Sequence, residues 1–314
     1  MRYLKLGDQN VSVIGLGAWQ IGTNSWGWGT EFGPRDVQTL LETASEEGIN
    51  FIDTAELYGQ GESERQIGLS IGNLRSSFVI ASKVSPWHLS YKSVYEAACK
   101  SLERLRITSI DLYQIHAPNP FMPIKGTMKG MSRLLSEGKI AKVGVSNFSL
   151  KRWQQAELEL GRPIVTNQME YSLARPRNYR LLGAKLDDNH YMIAYSPLGM
   201  GLLSGKYGNI KRPAGSRGGN PEFRYRNYPN VKKLLDVVSK IAKRHSASVS
   251  QISLAWVIAK DRVIAIPGAK SVAQIRENAQ ASDINLTRSE LHDLTRRQKH
   301  TNRPCIYQPR STFL

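Results

Sequence analysis

Cysteine is nearly absent: Cys99 and Cys305 are the only two in 314 residues. Two thiols cannot build a disulfide framework or a thiolate zinc site, so a reducing compartment and no metal are expected. Long apolar runs are missing too. Nothing reaches the roughly 20 residues of a membrane span, and the opening MRYLKLGDQNVSVIGLG alternates where a signal peptide would be continuously apolar. A cytoplasmic protein with no membrane attachment is therefore expected. Acidic residues are scarce, with 26 Asp and Glu against 43 Lys and Arg, for a formal net charge of +17. That surplus favours anionic partners such as nucleotides, phosphorylated metabolites, nucleic acid or acidic membranes, and it serves plain solubility equally well. No proline-rich or low-complexity linker interrupts the chain, so residues 1–314 read as one domain. The tail from about 299 is left open, either disordered or folded over the rest.

What is present is a regular alternation. After a hairpin formed by YLKL, a turn at Gly7 and Asp8, and VSVIGLG, short apolar runs alternate with segments of helical period. Val37, Leu40, Leu41 and Ala44 have the i, i+3, i+4, i+7 spacing of a helix face, as do Val231, Leu234, Leu235 and Val238. Cys99 falls on another apolar helical face and is expected in the core. Between the helices lie INFID, FVIASK, IDLYQIH, KVGVS, IVTNQ, MIAYS and VIAIPG, which with VIGLG make about eight strands. Such alternation fits a parallel sheet covered on both faces or closed into a barrel. The runs finish in Asp53, Lys83, His116, Ser146 and Asn147, Asn167 and Gln168, and Ser196, one polar group or pair after another. Polar groups at the same end of successive strands are the mark of a (βα)8 barrel, whose chemistry gathers at that rim. The exception is the stretch from Leu198 to Pro229 after the seventh strand, too long for an ordinary connection and so a candidate functional loop.

Asp53, Lys83 and His116 would then end consecutive strands, with Tyr58 in the loop after the first. A buried lysine beside a phenol is expected to lower its pKa toward neutrality, and Asp53 would hold that lysine charged. His116 could donate to a substrate carbonyl or share a proton with the tyrosine. GLGAWQ at 15–20 begins like a dinucleotide fingerprint but has Gln20 in place of the third glycine, so it carries no weight.

FIDTAELYG with ASK and YQIHAP resembles the Asp-Tyr-Lys-His tetrad of the aldo-keto reductase superfamily. GVSNF, NQMEYS and AYSPLGMGLLSGK resemble its nicotinamide segments, and IPGAKSVAQIRENA resembles its adenine-side motif. The resemblance spans the chain from the hairpin to about Ala279. It implies a TIM barrel and hydride transfer between NADP(H) and a small carbonyl or alcohol, with Tyr58 as general acid, Asp53 and Lys83 tuning it and His116 orienting the carbonyl. It further implies Ser146, Asn147 and Gln168 on the carboxamide, Tyr195 stacked on the nicotinamide, and Ser196, Leu198, Gly199, Ser204, Gly205, Lys206 and Arg217 along the pyrophosphate. Gly268, Lys270, Gln274, Glu277 and Asn278 would hold the ribose and adenine. Lys206, Arg217 and Lys270 are also cations of the kind that bind phosphate oxygens, which favours NADP(H) over NAD(H). Trp19, Trp26, Trp28 and Trp87 fall near strand ends and suit an apolar substrate pocket.

Two other readings stand beside this one. Relatives in the superfamily act as slowly turning, redox-sensing subunits. RGGNPEFRYRNY, with arginines between aromatics, has the pattern of a single-strand nucleic-acid binder; a loop closing over a cofactor phosphate uses the same residues, and no nucleic-acid partner is expected. Oligomeric state is left open.

Overall fold

The computed structural model describes residues 1–88, 90–119, 123–187, 189–207 and 228–298. An antiparallel hairpin, β1 (Tyr3–Leu6) with β2 (Gln9–Ser12), turns at Gly7 and stands apart from the main sheet. The main sheet has eight parallel strands in chain order: β3 (Leu16–Gly17), β4 (Phe51–Asp53), β5 (Val79–Val84), β6 (Ile110–Ile115), β7 (Ile140–Ser146), β8 (Thr166–Glu170), β9 (Tyr191–Tyr195) and β10 (Val263–Ala265). Parallel bridges Ile14 to Ala265 and Gly17 to Gly268 join the last strand to the first, so the sheet closes into a (βα)8 barrel. VSVIGLG thus divides its work: its first two residues finish the hairpin and the rest enters the barrel.

Between the strands run α1 (Pro34–Glu46), α2 (Glu62–Ser70), α3 (Tyr91–Leu105), α4 (Ile124–Ser136), α5 (Leu150–Leu160) and α6 (Arg177–Leu182). The helices α7 (Tyr228–Arg244), α8 (Val249–Val257), α9 (Val272–Gln280) and α10 (Arg288–Gln298) complete the shell. Both helical stripes read from sequence are buried, Val37, Leu40, Leu41 and Ala44 on α1 and Val231, Leu234, Leu235 and Val238 on α7. Cys99 is a correction. α3 buries Val94, Ala97, Ala98, Ser101, Leu102 and Leu105, and position 99 falls on the flank of that stripe, only partly covered.

The period of two along each strand sorts the core into two clusters. Ile52, Ile80, Tyr113 and Ile115 point outward and pack under the helices. Phe51, Val79, Ala81, Leu112, Ile193 and Ile264 point inward, with Leu6 and Val11 of the hairpin plugging the bottom of the barrel. The same inward register, continued toward the strands' C-terminal ends, meets Asp53, Lys83, Gln114 and Gln168, all buried. The barrel interior is apolar below and polar above, and the polar layer is the candidate site. Gly144 on β7 is required at this level. A Cβ there would come within 2.2 Å of Thr166 Oγ1 and 2.8 Å of the Gln114 side chain.

Candidate active site

Lys83 is the centre of the polar layer, completely buried and yet fully hydrogen-bonded. Its Nζ donates to Asp53 Oδ2 at 2.6 Å, to the Thr54 carbonyl at 2.9 Å and to the Tyr58 hydroxyl at 3.0 Å, which uses all three ammonium hydrogens. Asp53 is equally occupied. Its other oxygen, Oδ1, accepts from Gln168 Nε2 at 2.7 Å and from Gln114 Nε2 at 3.2 Å. An ion pair taken out of water is tolerated only when its remaining lone pairs and protons are satisfied in this way.

Tyr58 stands at the start of a short 3-10 turn, Tyr58–Gly61, in which Gly59 has φ +57°. A Cβ on Gly59 would lie 2.3 Å from the Gly22 carbonyl oxygen, so only glycine lets this turn press against the loop that follows β3. Position 58 is thereby fixed with its ring edge-on to His116, centroids 5.7 Å apart. His116, just past β6, is buried. Burial, with Lys83 adding to it, pushes its pKa down to about 3, so the imidazole is neutral and offers an N–H without carrying charge.

The expected lowering of the tyrosine pKa is overturned. Loss of water around the phenol raises its pKa above the ordinary 10.0; Lys83 pulls it down, and Asp53 adds to the rise. Burial alone would lower the Lys83 pKa. Asp53 and then Tyr58 reverse that, leaving it above its ordinary 10.5. The resting site is therefore an ammonium beside a protonated phenol, and the lysine donates to the phenol oxygen, leaving the phenol's own proton available.

Ser146, Asn147, Gln168 and Tyr195 form a second group at the same rim. Ser146 Oγ donates to the Gln168 carbonyl at 3.0 Å, and the Asn147 backbone N–H donates to the same oxygen at 2.9 Å. Asn147 Nδ2 reaches Ser146 Oγ at 3.1 Å, and the Tyr195 hydroxyl donates to Asn147 Oδ1 at 3.1 Å. Asn147 and Ser196 have φ of +61° and +49°, a left-handed backbone that costs energy outside glycine and is concentrated at functional sites. Gln168 belongs to both groups. Its Nε2 donates to Asp53 Oδ1 and also approaches Gln114 Oε1 at 3.4 Å, while its backbone carbonyl accepts from Ser146 and Asn147.

Further round, Leu198 packs on the core, Gly199 and Gly205 take positive φ at +57° and +76°, and Ser204 Oγ bonds the Gly201 carbonyl. Lys206 is exposed at the end of this segment. Arg217, the RGGNPEFRYRN stretch, Cys305 and the tail lie outside the described residues. In the segment IPGAKSVAQIRENA, Gly268 packs against Gln20, whose Nε2 donates to the Ala269 carbonyl at 2.9 Å. Lys270 Nζ meets Glu31 Oε2 at 2.6 Å, and the Lys270 N–H donates to Gln274 Oε1 at 2.8 Å. Glu277 accepts from Ser248 Oγ at 2.6 Å, and Asn278 is buried on α9, so both are engaged with the helix shell.

The four tryptophans separate. Trp19 packs on Trp26 with centroids 5.1 Å apart and lies 6.2 Å from Tyr58, so these two reach the site. Trp28 turns instead to Phe32 at 5.2 Å, and Trp87 is 62% exposed on the loop after β5. Gln114 and Glu31 were missed by sequence reading. Gln114 had a signal, since it lies two residues before His116 in the run that forms β6 and so shares its face; Glu31 had none.

The sequence profile of the aldo/keto reductase family matches residues 13–298. The chain belongs to that family. An uncharacterized oxidoreductase of Mycobacterium tuberculosis is 42% identical over 297 residues, covering 94% of this chain and 92% of its own. A methylglyoxal reductase of Escherichia coli is 32% identical over 288 residues, covering 91% and 90%. The crystal structure of an aldo-keto reductase from Klebsiella pneumoniae in complex with NADPH superposes with a TM-score of 0.76 at 30% identity, covering 94% of each chain. Membership makes this protein an oxidoreductase on a (βα)8 barrel. Among the described residues no helix is long and apolar enough to cross a membrane, and no cluster of His, Cys, Asp or Glu could hold a metal ion.

Proposed function

We propose that the protein reduces a small aldehyde or ketone to the alcohol with NADPH, using Tyr58 as the proton donor. The observation that carries this is the fully satisfied Lys83, which spends one hydrogen on the oxygen of a phenol that keeps its own proton. The donor set at the rim fits the cofactor. Neutral hydroxyl and amide groups of Ser146, Asn147, Gln168 and Tyr195 suit an uncharged carboxamide and ring, while Lys206 and Lys270 suit phosphate. Arg217 would add a third cation. The NADPH complex of the Klebsiella relative supports the same cofactor.

NADPH, when bound, supplies the hydride that goes to the carbonyl carbon. The chain's own residues handle the oxygen. A carbonyl seated between Tyr58 and His116 meets one phenolic O–H and one neutral imidazole N–H, and the developing negative charge on its oxygen strengthens both contacts. Tyr58 then gives its proton to that oxygen, and the adjacent Lys83 ammonium stabilises the phenolate left behind. Asp53 keeps the ammonium charged and in place. His116 orients the carbonyl and transfers no proton, because its imidazolium does not form near neutral pH. Trp19 and Trp26 give the entrance an apolar wall, which favours small hydrophobic or aromatic carbonyls.

The test is NADPH oxidation by the purified protein across aromatic, aliphatic and sugar aldehydes and ketones. Saturable turnover with carbonyls of one class is expected. Tight NADPH binding with no turnover on any of them would replace this reading with that of a binding subunit.

A further inference from the structure

The loop between β3 and α1 runs from Tyr58 to Lys270. One end, through Trp19 and Trp26, lies against Tyr58. The other is a tight turn, 27–32, closed by the Gly27 carbonyl, which accepts from the N–H groups of Thr30 at 3.2 Å and Glu31 at 2.8 Å. The Gly29 N–H returns to the Phe32 carbonyl at 2.9 Å. Phe32 is buried and anchors the turn, with Trp28 packed on it. Lys270 lies over the Phe32 ring, its Nζ 5.9 Å from the centroid, and ends on Glu31 Oε2 at 2.6 Å. The lysine side chain is 16% exposed and the glutamate 63%. The cation is therefore largely buried, while the carboxylate that meets it is mostly exposed to water.

A phosphate reaching Lys270 from solvent cannot share that ammonium with a carboxylate at no cost, because the two anions would repel at close range. The carboxylate is the one that can leave. We propose that Glu31 is a cofactor-specificity residue: it occupies Lys270 until the 2′-phosphate of NADP(H) displaces it, and the displacement unties the turn 27–32 from the adenine side of the barrel. The proposal rests on the assignment of Lys270 to the 2′-phosphate. NADH carries a neutral hydroxyl at that position and has nothing to exchange for the carboxylate, so Glu31 opposes NADPH alone.

Dissociation constants for NADPH and NADH, measured by titration of the full chain, test this in the wild type, Glu31→Gln, Lys270→Met and the double variant. Because the pair is largely exposed on the glutamate side, its strength is modest, and Glu31→Gln is expected to tighten NADPH about two- to fivefold with NADH unchanged. Lys270→Met is expected to weaken NADPH, and adding Glu31→Gln to it should restore nothing. Two results would overturn the proposal while leaving Lys270 as the phosphate contact: NADPH affinity unchanged or weaker in Glu31→Gln, or a gain that persists in full in the double variant. If Lys270→Met leaves NADPH binding unaltered, the phosphate assignment is wrong and the proposal falls with it.

Discussion

Two lysine–carboxylate pairs in this barrel have the same 2.6 Å separation and opposite surroundings. Lys83 and Asp53 are 0% and 1% exposed; Lys270 and Glu31 are 16% and 63% exposed. Distance alone would rank them equal. At 4 Å, two charges interact by about 1 kcal/mol in bulk water and about 4 kcal/mol at the effective dielectric near a protein surface, so environment sets their strength. The inner pair is also fixed in geometry, because Thr54 and Tyr58 take the other lysine hydrogens and Gln114 and Gln168 fill the other carboxylate oxygen. It can hold a phenol in one position through a catalytic cycle. The outer pair can exchange its anion, which is what a ligand site needs.

Removing each lysine should expose the difference most. Lys83→Met leaves a buried carboxylate with amide donors and no cation, and is expected to cost about 3–5 kcal/mol of stability. Lys270→Met should cost under about 1 kcal/mol. Urea unfolding of both variants checks this, and equal losses would erase the distinction. A smaller effect is expected from Gly144→Ala, which forces a methyl against Thr166 and Gln114 beneath the inner pair. Overpacking of this kind costs about 1–3 kcal/mol. It should slow carbonyl reduction while leaving the ratio of NADPH to NADH affinity unchanged.

Lys206→Ala acts on the outer region only. It is expected to weaken NADPH by a few-fold, about 1 kcal/mol or less for an exposed charge, and NADH by less. The wild-type preference should itself shrink as the Debye length falls from about 10 Å at 0.1 M salt to about 3 Å at 1 M. Equal losses for the two cofactors would move the phosphate contact elsewhere.

The smallest effect on the rate comes from pH. With the His116 pKa at about 3 and the Tyr58 pKa above 10.0, neither group changes charge between about pH 5 and 9, and the rate of carbonyl reduction should be nearly flat there. Stability behaves differently. The ordinary histidine value of 6.5 exceeds the folded value, so below it the unfolded chain takes up the proton first. His116 therefore destabilises the fold progressively as pH falls from 6.5 toward 3 and contributes nothing above that window. Replacing it with asparagine should flatten this part of the stability profile. An unchanged slope would mean that His116 takes up its proton as readily in the folded protein as in the unfolded chain.

The barrel and the inner cluster were legible in the sequence for a single reason. Most strands are apolar runs that finish in a polar residue, so Asp53, Lys83 and His116 declare both the strand and the end at which polar groups gather. Gln114 was hidden because it lies inside its run, where a polar residue looks like an interruption of the strand; only the period of two, counted back from His116, brings it to Asp53. Glu31 was out of reach. It meets Lys270 across 239 positions through the path of a loop, and no local pattern records that path. The pKa of Tyr58 failed for a related reason. The neighbouring lysine could be read from sequence, whereas the loss of water around the phenol, which is the larger influence, depends on how Trp19, His116 and the turn at Gly59 close around it.

The role of Tyr58 as proton donor is tested by single-turnover NADPH oxidation by the wild type and Tyr58→Phe, at saturating cofactor, on the best carbonyl found. The rate is expected to fall by about two to four orders of magnitude, with the NADPH dissociation constant and the thermal midpoint close to wild type. A Tyr58→Phe rate near that of the wild type would contradict that role, since the proton would then come from another group.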